Sequence, residues 1–255
     1  MDLLAGLGTV LPGDRVVSGE EELKRHGGVF TYHAPVRPDA VVYPESRDEV
    51  VEILRFANEH RIPIVPFGQG SSLEAHTIPV NGGISLDLGR MDRILEVRPD
   101  DFIARVQPGL THMALNAALA EHGLLFTVDP GWDASPGGMA GTNASGTNVV
   151  KYGVMRDQVL GLEVVLADGR VMRTGGMTMK SSAGYNLTGL FVGSEGTLGV
   201  FTELILRLYP LPGRTMAARA VFPDIEAAGR AAVAMIRTGM RIGRVELVDA
   251  RTVGP

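Results

Sequence analysis

Glycine placement restricts this sequence more than any other feature: 15 of its 33 glycines lie between Gly131 and Gly199. Glycine is 33 of 255 residues, close to twice the roughly 7% of average proteins. Collagen would need a strict three-residue period and a disordered linker would lack the apolar runs found here, so neither class fits. What remains is folded backbone that turns through positive φ or approaches something closely, because only glycine lacks the Cβ that blocks both. Any single glycine reads equally well as an ordinary turn residue. The clusters at 66–72, 130–146 and 193–200 are harder to dismiss.

Charge and cysteine content narrow the partners. The 24 Lys+Arg against 29 Asp+Glu give a net charge of −5. No basic block stands out, so nothing favours nucleic acid or an anionic membrane surface. With no cysteine, disulfides, thiolate catalysis and Cys-ligated zinc or iron–sulfur clusters are excluded. The first residues lack the basic and apolar regions of a leader, and no 18-residue apolar run occurs. The expectation is a soluble, cytoplasmic chain without a transmembrane segment.

The pattern predicts an α+β organisation. After a weakly patterned start with a short helix at 20–26, a strand is expected at 41–43. A helix at 47–60 follows, opened by Ser46 with Glu49 three residues on, and then a strand at 62–65. That order suggests a parallel βαβ unit. A loop runs over 66–83, a strand covers 84–88, and 94–97 with 102–107 reads as a hairpin. A helix at 111–122 ends on Gly123, and 131–153 is too long to be an idle connection. Asp168-Gly169 between apolar runs predicts a type I′ hairpin over 159–173. A strand at 200–209 leads to Pro210-Leu211-Pro212-Gly213, a domain boundary. Beyond it come a strand (216–222), a helix (225–238) and a strand (243–248).

Three loops carry the candidate chemistry. The first, Pro66, Phe67, Gly68, Gln69, Gly70, Ser71 and Ser72, follows a predicted strand and offers backbone N–H groups to a phosphate, or is an ordinary turn. A dinucleotide fingerprint with Asp87 as the ribose acid fails. Leu73 stands where its third glycine belongs, and Pro79, Gly82 and Gly83 prevent the helix that should follow. The second loop contributes Pro130, Gly131, Ser135, Gly137, Gly138, Gly141, Thr142 and Gly146, small residues suited to lining a flat aromatic ligand or a diphosphate. Glu195, Gly196, Gly199 and Val200 form the third. The Glu195 carboxylate is expected to bond local backbone N–H groups rather than to abstract a proton.

Taken together these loops resemble the flavoproteins with a vanillyl-alcohol-oxidase (PCMH) type FAD-binding domain, and within them the FAD-dependent D-lactate dehydrogenase and glycolate oxidase large-subunit group. The resemblance runs over about 40–212. It implies FAD extended between two α/β subdomains, with hydride transfer from a small-molecule D-2-hydroxy acid to the flavin and an unidentified electron acceptor. It implies three segments: an N-terminal segment 1–39, the FAD-binding domain 40–212, and at 213–255 the start of a ferredoxin-like substrate cap, incomplete here. The cap's His-rich metal motif is missing, so no metal ligand and no catalytic residue is assigned and no turnover is expected from this chain alone. A non-catalytic flavin-binding module, or a subunit needing a partner chain, is the alternative; a nicotinamide-binding α/β domain is a weaker one.

Individual polar residues have plainer readings. His60 and His122 suit helix C-termini, and His26, His33 and His112 carry no signal. His76 follows the first loop, where some members of the wider superfamily attach FAD covalently, whereas the D-lactate dehydrogenase group usually does not. Asp168 reads as a turn residue, Asp157 as a cap or surface group and Lys180 as solvated. In the last segment Val221, Ile225, Ala228, Val233, Ile236, Val245 and Leu247 would leave a sheet edge uncovered, so pairing of identical chains through it is expected.

Overall fold

The computed structural model describes residues 2–28 and 31–253; Met1, Val29, Phe30, Gly254 and Pro255, and with them the outer ends of the expected segments 1–39 and 213–255, lie outside the described residues. In chain order the strands are β1 (Val16–Val17), β2 (Ala40–Val42), β3 (Ile64–Phe67), β4 (Ile84–Asp87), β5 (Ile94–Arg98), β6 (Ile103–Val106), β7 (Leu124–Leu125), β8 (Val159–Val165), β9 (Val171–Gly175), β10 (Val200–Arg207) and β11 (Tyr209–Pro210). The helices are α1 (Leu3–Leu7), α2 (Glu20–Gly27), α3 (Arg47–His60), α4 (His112–Ala120), α5 (Pro136–Thr142), α6 (Val149–Tyr152), α7 (Met155–Gln158), α8 (Leu187–Phe191), α9 (Ile225–Arg237) and α10 (Ala250–Val253).

Two larger sheets organise these elements, with β7 and β11 forming a separate two-stranded antiparallel pair. The first has the order β1-β2-β4-β3. Strands β2 and β3 both run parallel to β4, so the βαβ unit is real but β4 lies between its two strands. The third strand also begins two residues later than expected, at Ile64, and takes Pro66 and Phe67 out of the loop. Pro66 is tolerated because β3 is an edge strand, where a missing N–H breaks no ladder on its open side. Helix α3 follows from its sequence: Ser46 Oγ accepts the Glu49 N–H at 3.3 Å, while Val50, Val51, Ile53, Leu54 and Ala57 recur on one face and are buried. Glu49 does not close the expected box on Ser46; its Oε2 accepts from Glu45 N–H at 2.7 Å and from Arg15 at 2.7 Å. Burying each large apolar side chain of that face contributes about 1.5–3 kcal/mol, against a core that includes Leu7, Leu11, Ile84, Leu86 and Met91.

The second sheet, β5-β6-β10-β8-β9, is antiparallel throughout. Its core gathers Leu115 and Leu119 of α4, Met139 of α5, Met155 of α7 and Phe191 of α8 around Leu162, Leu204 and Leu206. Helix α4 ends at Ala120 rather than 122, three residues before the positive-φ Gly123. The β8–β9 turn is not type I′, which needs positive φ at both central residues. Only Gly169 has it, at 80°, and its N–H closes the turn on Leu166 O at 2.8 Å. Val165 and Val200 of this sheet reach into the core of the first, so the two sheets meet where β8 begins its turn and β10 starts.

The segment after Pro212 departs most from expectation. Residues 216–222 and 243–248 form no strand, whereas α9 forms with Asp224 as its cap. A strand exists only through a ladder to a neighbour, and these stretches find none among the described residues. Beyond Leu208 no described side chain is buried. Among the described residues of this segment Arg244 ties back to the body, meeting Asn148 Oδ1 at 2.8 Å and Asp129 Oδ2 at 3.0 Å.

Candidate functional site

Strand β3 delivers the first loop to the seam between the two sheets, and the two other glycine-rich loops arrive there from the second sheet. They enclose a cavity of about 170 Å3. Of the residues expected at a site, Pro66, Phe67, Gly68, Gln69, Gly70, Ser71, Ser72, Pro130, Ser135, Gly137, Gly138, Gly141, Thr142, Glu195, Gly196, Gly199 and Val200 line it. Gly131 and Gly146 do not. Gly131 sits in an exposed bend, and Gly146 is needed elsewhere, since a Cβ there would stand 2.1 Å from Asp129 O. The stretch 131–153 is not one loop either, for it contains α5 and α6. Pro136 at the first helical position and Ser135 Oγ, which accepts the Gly138 N–H, start α5 despite its glycines.

Close approaches tie the three loops into a ring. A Cβ on Gly68 would come within 2.9 Å of Ser135 Oγ, joining the first loop to the cap of α5. A Cβ on Gly196 would meet the Pro66 ring at 2.9 Å, joining the third loop to the first. Between the third loop and α5 the link is hydrogen bonding: Gly193 and Glu195 donate their N–H groups to Ala140 O at 2.8 Å and Gly141 O at 2.9 Å. Glu195 takes φ 51°, a left-handed conformation for a residue with a side chain. Its carboxylate bonds no backbone N–H among the described residues, which corrects the expectation for it; the backbone of Glu195, not its side chain, holds the turn.

The cavity offers hydrogen bonds and almost no charge. Among the described residues no Lys or Arg lines it, and His76 and Glu195 are its titratable groups. From Gly68 to Ser72 no backbone N–H donates to a protein acceptor among the described residues, so a run of donors stays available as in an anion-binding nest. His76 Nδ1 and Thr77 Oγ1 are buried and also lack partners. Burial holds the His76 imidazole below its ordinary pKa, against the opposing pull of Glu195 and Glu74. Behind the first loop a second recess of about 670 Å3 shares Phe67 to Ser71 and adds Arg25, Asp87 and Trp132. There Asp87 accepts from His26 Nε2 at 2.9 Å, Arg25 at 3.0 Å and Gly89 N–H at 2.7 Å, and the His26 ring lies 4.3 Å from that of Phe67.

The sequence profile of the family described as FAD binding domain matches residues 38–175. The chain belongs to that family. This FAD-binding domain is 44% identical over 241 residues to a probable mitochondrial D-lactate dehydrogenase of Danio rerio, covering 93% of this chain and 48% of that protein. A glycolate oxidase subunit of Bacillus subtilis is 41% identical over 231 residues, covering 88% and 49%. Among solved structures, an alkyldihydroxyacetonephosphate synthase superposes with a TM-score of 0.75 at 25% identity, over 83% of this chain and 40% of the other. The chain thus spans about half the length of the curated relatives it matches.

The ring of loops fits FAD, the cofactor of the family. A dianionic diphosphate facing a wall without Lys or Arg must be held by backbone donors, and the N–H groups of Gly68 to Ser72 are free for it. Gly141 leaves the opposite wall open, since a Cβ there meets nothing within 4 Å, whereas Gly137 is required by close packing, a Cβ there standing 2.5 Å from Pro108 Cβ. Sequence reading missed Thr77, Leu88, Pro108, Met139 and Phe201, which also line the cavity. Thr77, Leu88, Pro108 and Phe201 lie outside the three glycine clusters, and Met139 lies within the second but is a buried apolar residue of α5; the fold brings each of them to the wall. The arginine–histidine–aspartate group behind the first loop was equally hidden, since Arg25 and His26 come from a weakly patterned helix.

Lys180 is exposed and lies away from the cavity. Asp168 accepts the Arg170 N–H at 3.0 Å as a turn residue, and Asp157 accepts the Val154 N–H at 2.9 Å at the start of α7. No described helix is long and apolar enough to cross a membrane.

Proposed function

We propose that this chain is the cofactor-holding part of an FAD-dependent dehydrogenase or oxidase that converts a D-2-hydroxy acid, D-lactate or glycolate, to the 2-keto acid. The observation that carries the reading is the ring of three glycine-rich loops around one cavity in a chain of the FAD-binding family. The names of its relatives, a D-lactate dehydrogenase and a glycolate oxidase subunit, supply the substrate class. Bound FAD supplies hydride acceptance at its isoalloxazine ring. The chain's residues would hold it: the free N–H groups of Gly68 to Ser72 would take the diphosphate, the Gly138 and Gly141 wall would allow close approach, and the Gly196–Pro66 contact keeps the loops together. The site residues are those named in the three loops, with Gly131 and Gly146 in supporting positions.

His76 and Glu195, the titratable groups of the lining, share no hydrogen bond among the described residues, and in this reading the group that accepts the substrate's hydroxyl proton is sought outside this cavity. That favours a second reading, a flavin-binding part that needs further residues or a partner chain for turnover. We divide the chain into 1–39, 40–212 and 213–255, which the ending of the buried core at Leu208 supports; Leu7 and Leu11 pack the first segment onto the second. Pairing of identical chains through the exposed Val221, Ile225, Val233 and Ile236 belongs to the same reading, and light scattering tests it. The electron acceptor is unassigned. The cytoplasm, a reducing compartment that suits a chain without cysteine, is the proposed location; fractionation tests it against the mitochondrial location in the Danio rerio relative's name.

The deciding experiment mixes the purified chain with FAD, removes free cofactor, and records the visible spectrum and dye reduction by D-lactate and by glycolate. Retained flavin with reduction supports the dehydrogenase. Retained flavin without reduction supports the second reading, and no retained flavin removes both.

A further inference from the structure

Two polar atoms in the cavity wall remain unexplained by the three loops. His76 Nδ1 and Thr77 Oγ1 are buried, line the cavity and have no hydrogen-bond partner among the described residues. Buried polar atoms are almost always paired, and an unpaired one is expensive unless a ligand completes it. The chain spends conformational strain to bring them there: Ala75, just before them, takes φ 61°, and the Ile78 N–H returns to Ala75 O at 3.0 Å. Thr77, Ile78 and Pro79 are themselves buried, which fixes the direction of the turn. Strain of this kind in a non-glycine residue collects at ligand sites.

We infer that His76 and Thr77 anchor the uncharged part of bound FAD, its isoalloxazine ring or ribityl chain, and not its diphosphate; the inference rests on the FAD reading above. The charge distribution separates the two halves of the cofactor. The carboxylates of Glu195 and Glu74 act on His76, so a phosphate placed beside it would meet negative charge. The free N–H groups of Gly68 to Ser72 are the better seat for that phosphate. Burial lowers the His76 pKa and so favours the neutral imidazole, whose unpaired Nδ1 suits one hydrogen bond to an uncharged group. The Thr77 hydroxyl both donates and accepts, which suits a ring carbonyl or a polyol.

The test titrates the unaltered chain and the variants His76→Ala, His76→Asn and Thr77→Val with FAD and, separately, with ADP, which carries the diphosphate but no flavin. Circular dichroism checks the fold, and Thr77→Val keeps the volume of the side chain. His76→Ala should weaken FAD about tenfold, the loss of one hydrogen bond to a buried partner, and shift the visible bands of the bound flavin. ADP affinity should stay within about twofold. His76→Asn, whose amide reaches the position of Nδ1, should recover most of the FAD affinity. Unchanged FAD affinity and spectrum in both His76→Ala and Thr77→Val would overturn the anchor, as would an equal loss for ADP and FAD. Failure of the unaltered chain to bind FAD overturns the cofactor reading and the anchor with it, and is told apart by the parent titration.

Discussion

Helices α3 and α9 look alike as sequence and behave differently as structure. Each is about four turns long, opens on a side-chain cap (Ser46 and Asp224) and carries apolar residues along one face. Helix α3 buries five of them between the two sheets; α9 buries none, and its Ile225, Val233 and Ile236 are more than half exposed. Amphipathic spacing declares which face wants cover, but a helix has no means of supplying the cover itself. The same contrast separates the whole body, 2–210, from the segment after it. In the body two apolar cores are closed between elements, while beyond Leu211 the described chain is tied to it through Arg244.

The sharpest way to break this comparison is to place a charge on equivalent faces. Ile53→Asp puts an unpaired carboxylate where the parent side chain is fully buried, and should cost about 4 kcal/mol or more, enough to abolish a cooperative thermal transition. Ile236→Asp should change stability by no more than about 0.5 kcal/mol. A comparable loss at Ile236 in a calorimetric scan would mean that α9 is covered in solution.

Next in size is an effect on the ligand alone. Gly141→Leu places its Cβ in open space in the cavity wall, so the melting temperature should hold while FAD affinity falls about a hundredfold or more. Removing residues 214–255 should leave FAD affinity within about threefold. Equilibrium dialysis of both proteins decides whether cofactor binding belongs to the body. If the shortened chain loses FAD while Gly141→Leu keeps it, the division is wrong.

A smaller effect concerns acid. Burial alone would raise the Glu49 carboxyl, but the Arg15 guanidinium at 2.7 Å and the Glu45 N–H hold it below the usual carboxylate range. Because the folded value is the lower one, the stabilisation is complete above the unfolded value of about 4.3 and disappears as pH falls through the folded value. Glu49→Gln should remove up to about 1 kcal/mol at neutral pH, allowing for solvent screening, and flatten the acid limb of melting temperature against pH. An unaltered acid limb would show that the Arg15–Glu49 pair contributes nothing.

The least effect is expected at Arg244→Ala. It removes two contacts of an exposed side chain to Asn148 and Asp129, worth about 0.5 kcal/mol or less. Limited proteolysis should then cut the last segment faster while the body melts unchanged.

What the sequence decided by itself was local. Ser46 and the spacing of Val50, Ile53, Leu54 and Ala57 determine α3, Asp224 starts α9, and the alternation of 200–207 makes β10, because caps and side-chain periodicity act within a few residues. The glycine clusters likewise announced the loops of the site, since the lack of a Cβ is a property of the residue. Tertiary structure alone decided what those pieces meet. Only the fold inserts β4 between β2 and β3, brings Gly196 against Pro66 and Gly68 against Ser135, and turns His76 and Thr77 into the cavity. It also leaves 216–222 and 243–248 without strands. A ladder, a close backbone approach or a buried face each requires a partner distant in the chain, and no local preference can encode whether that partner is present.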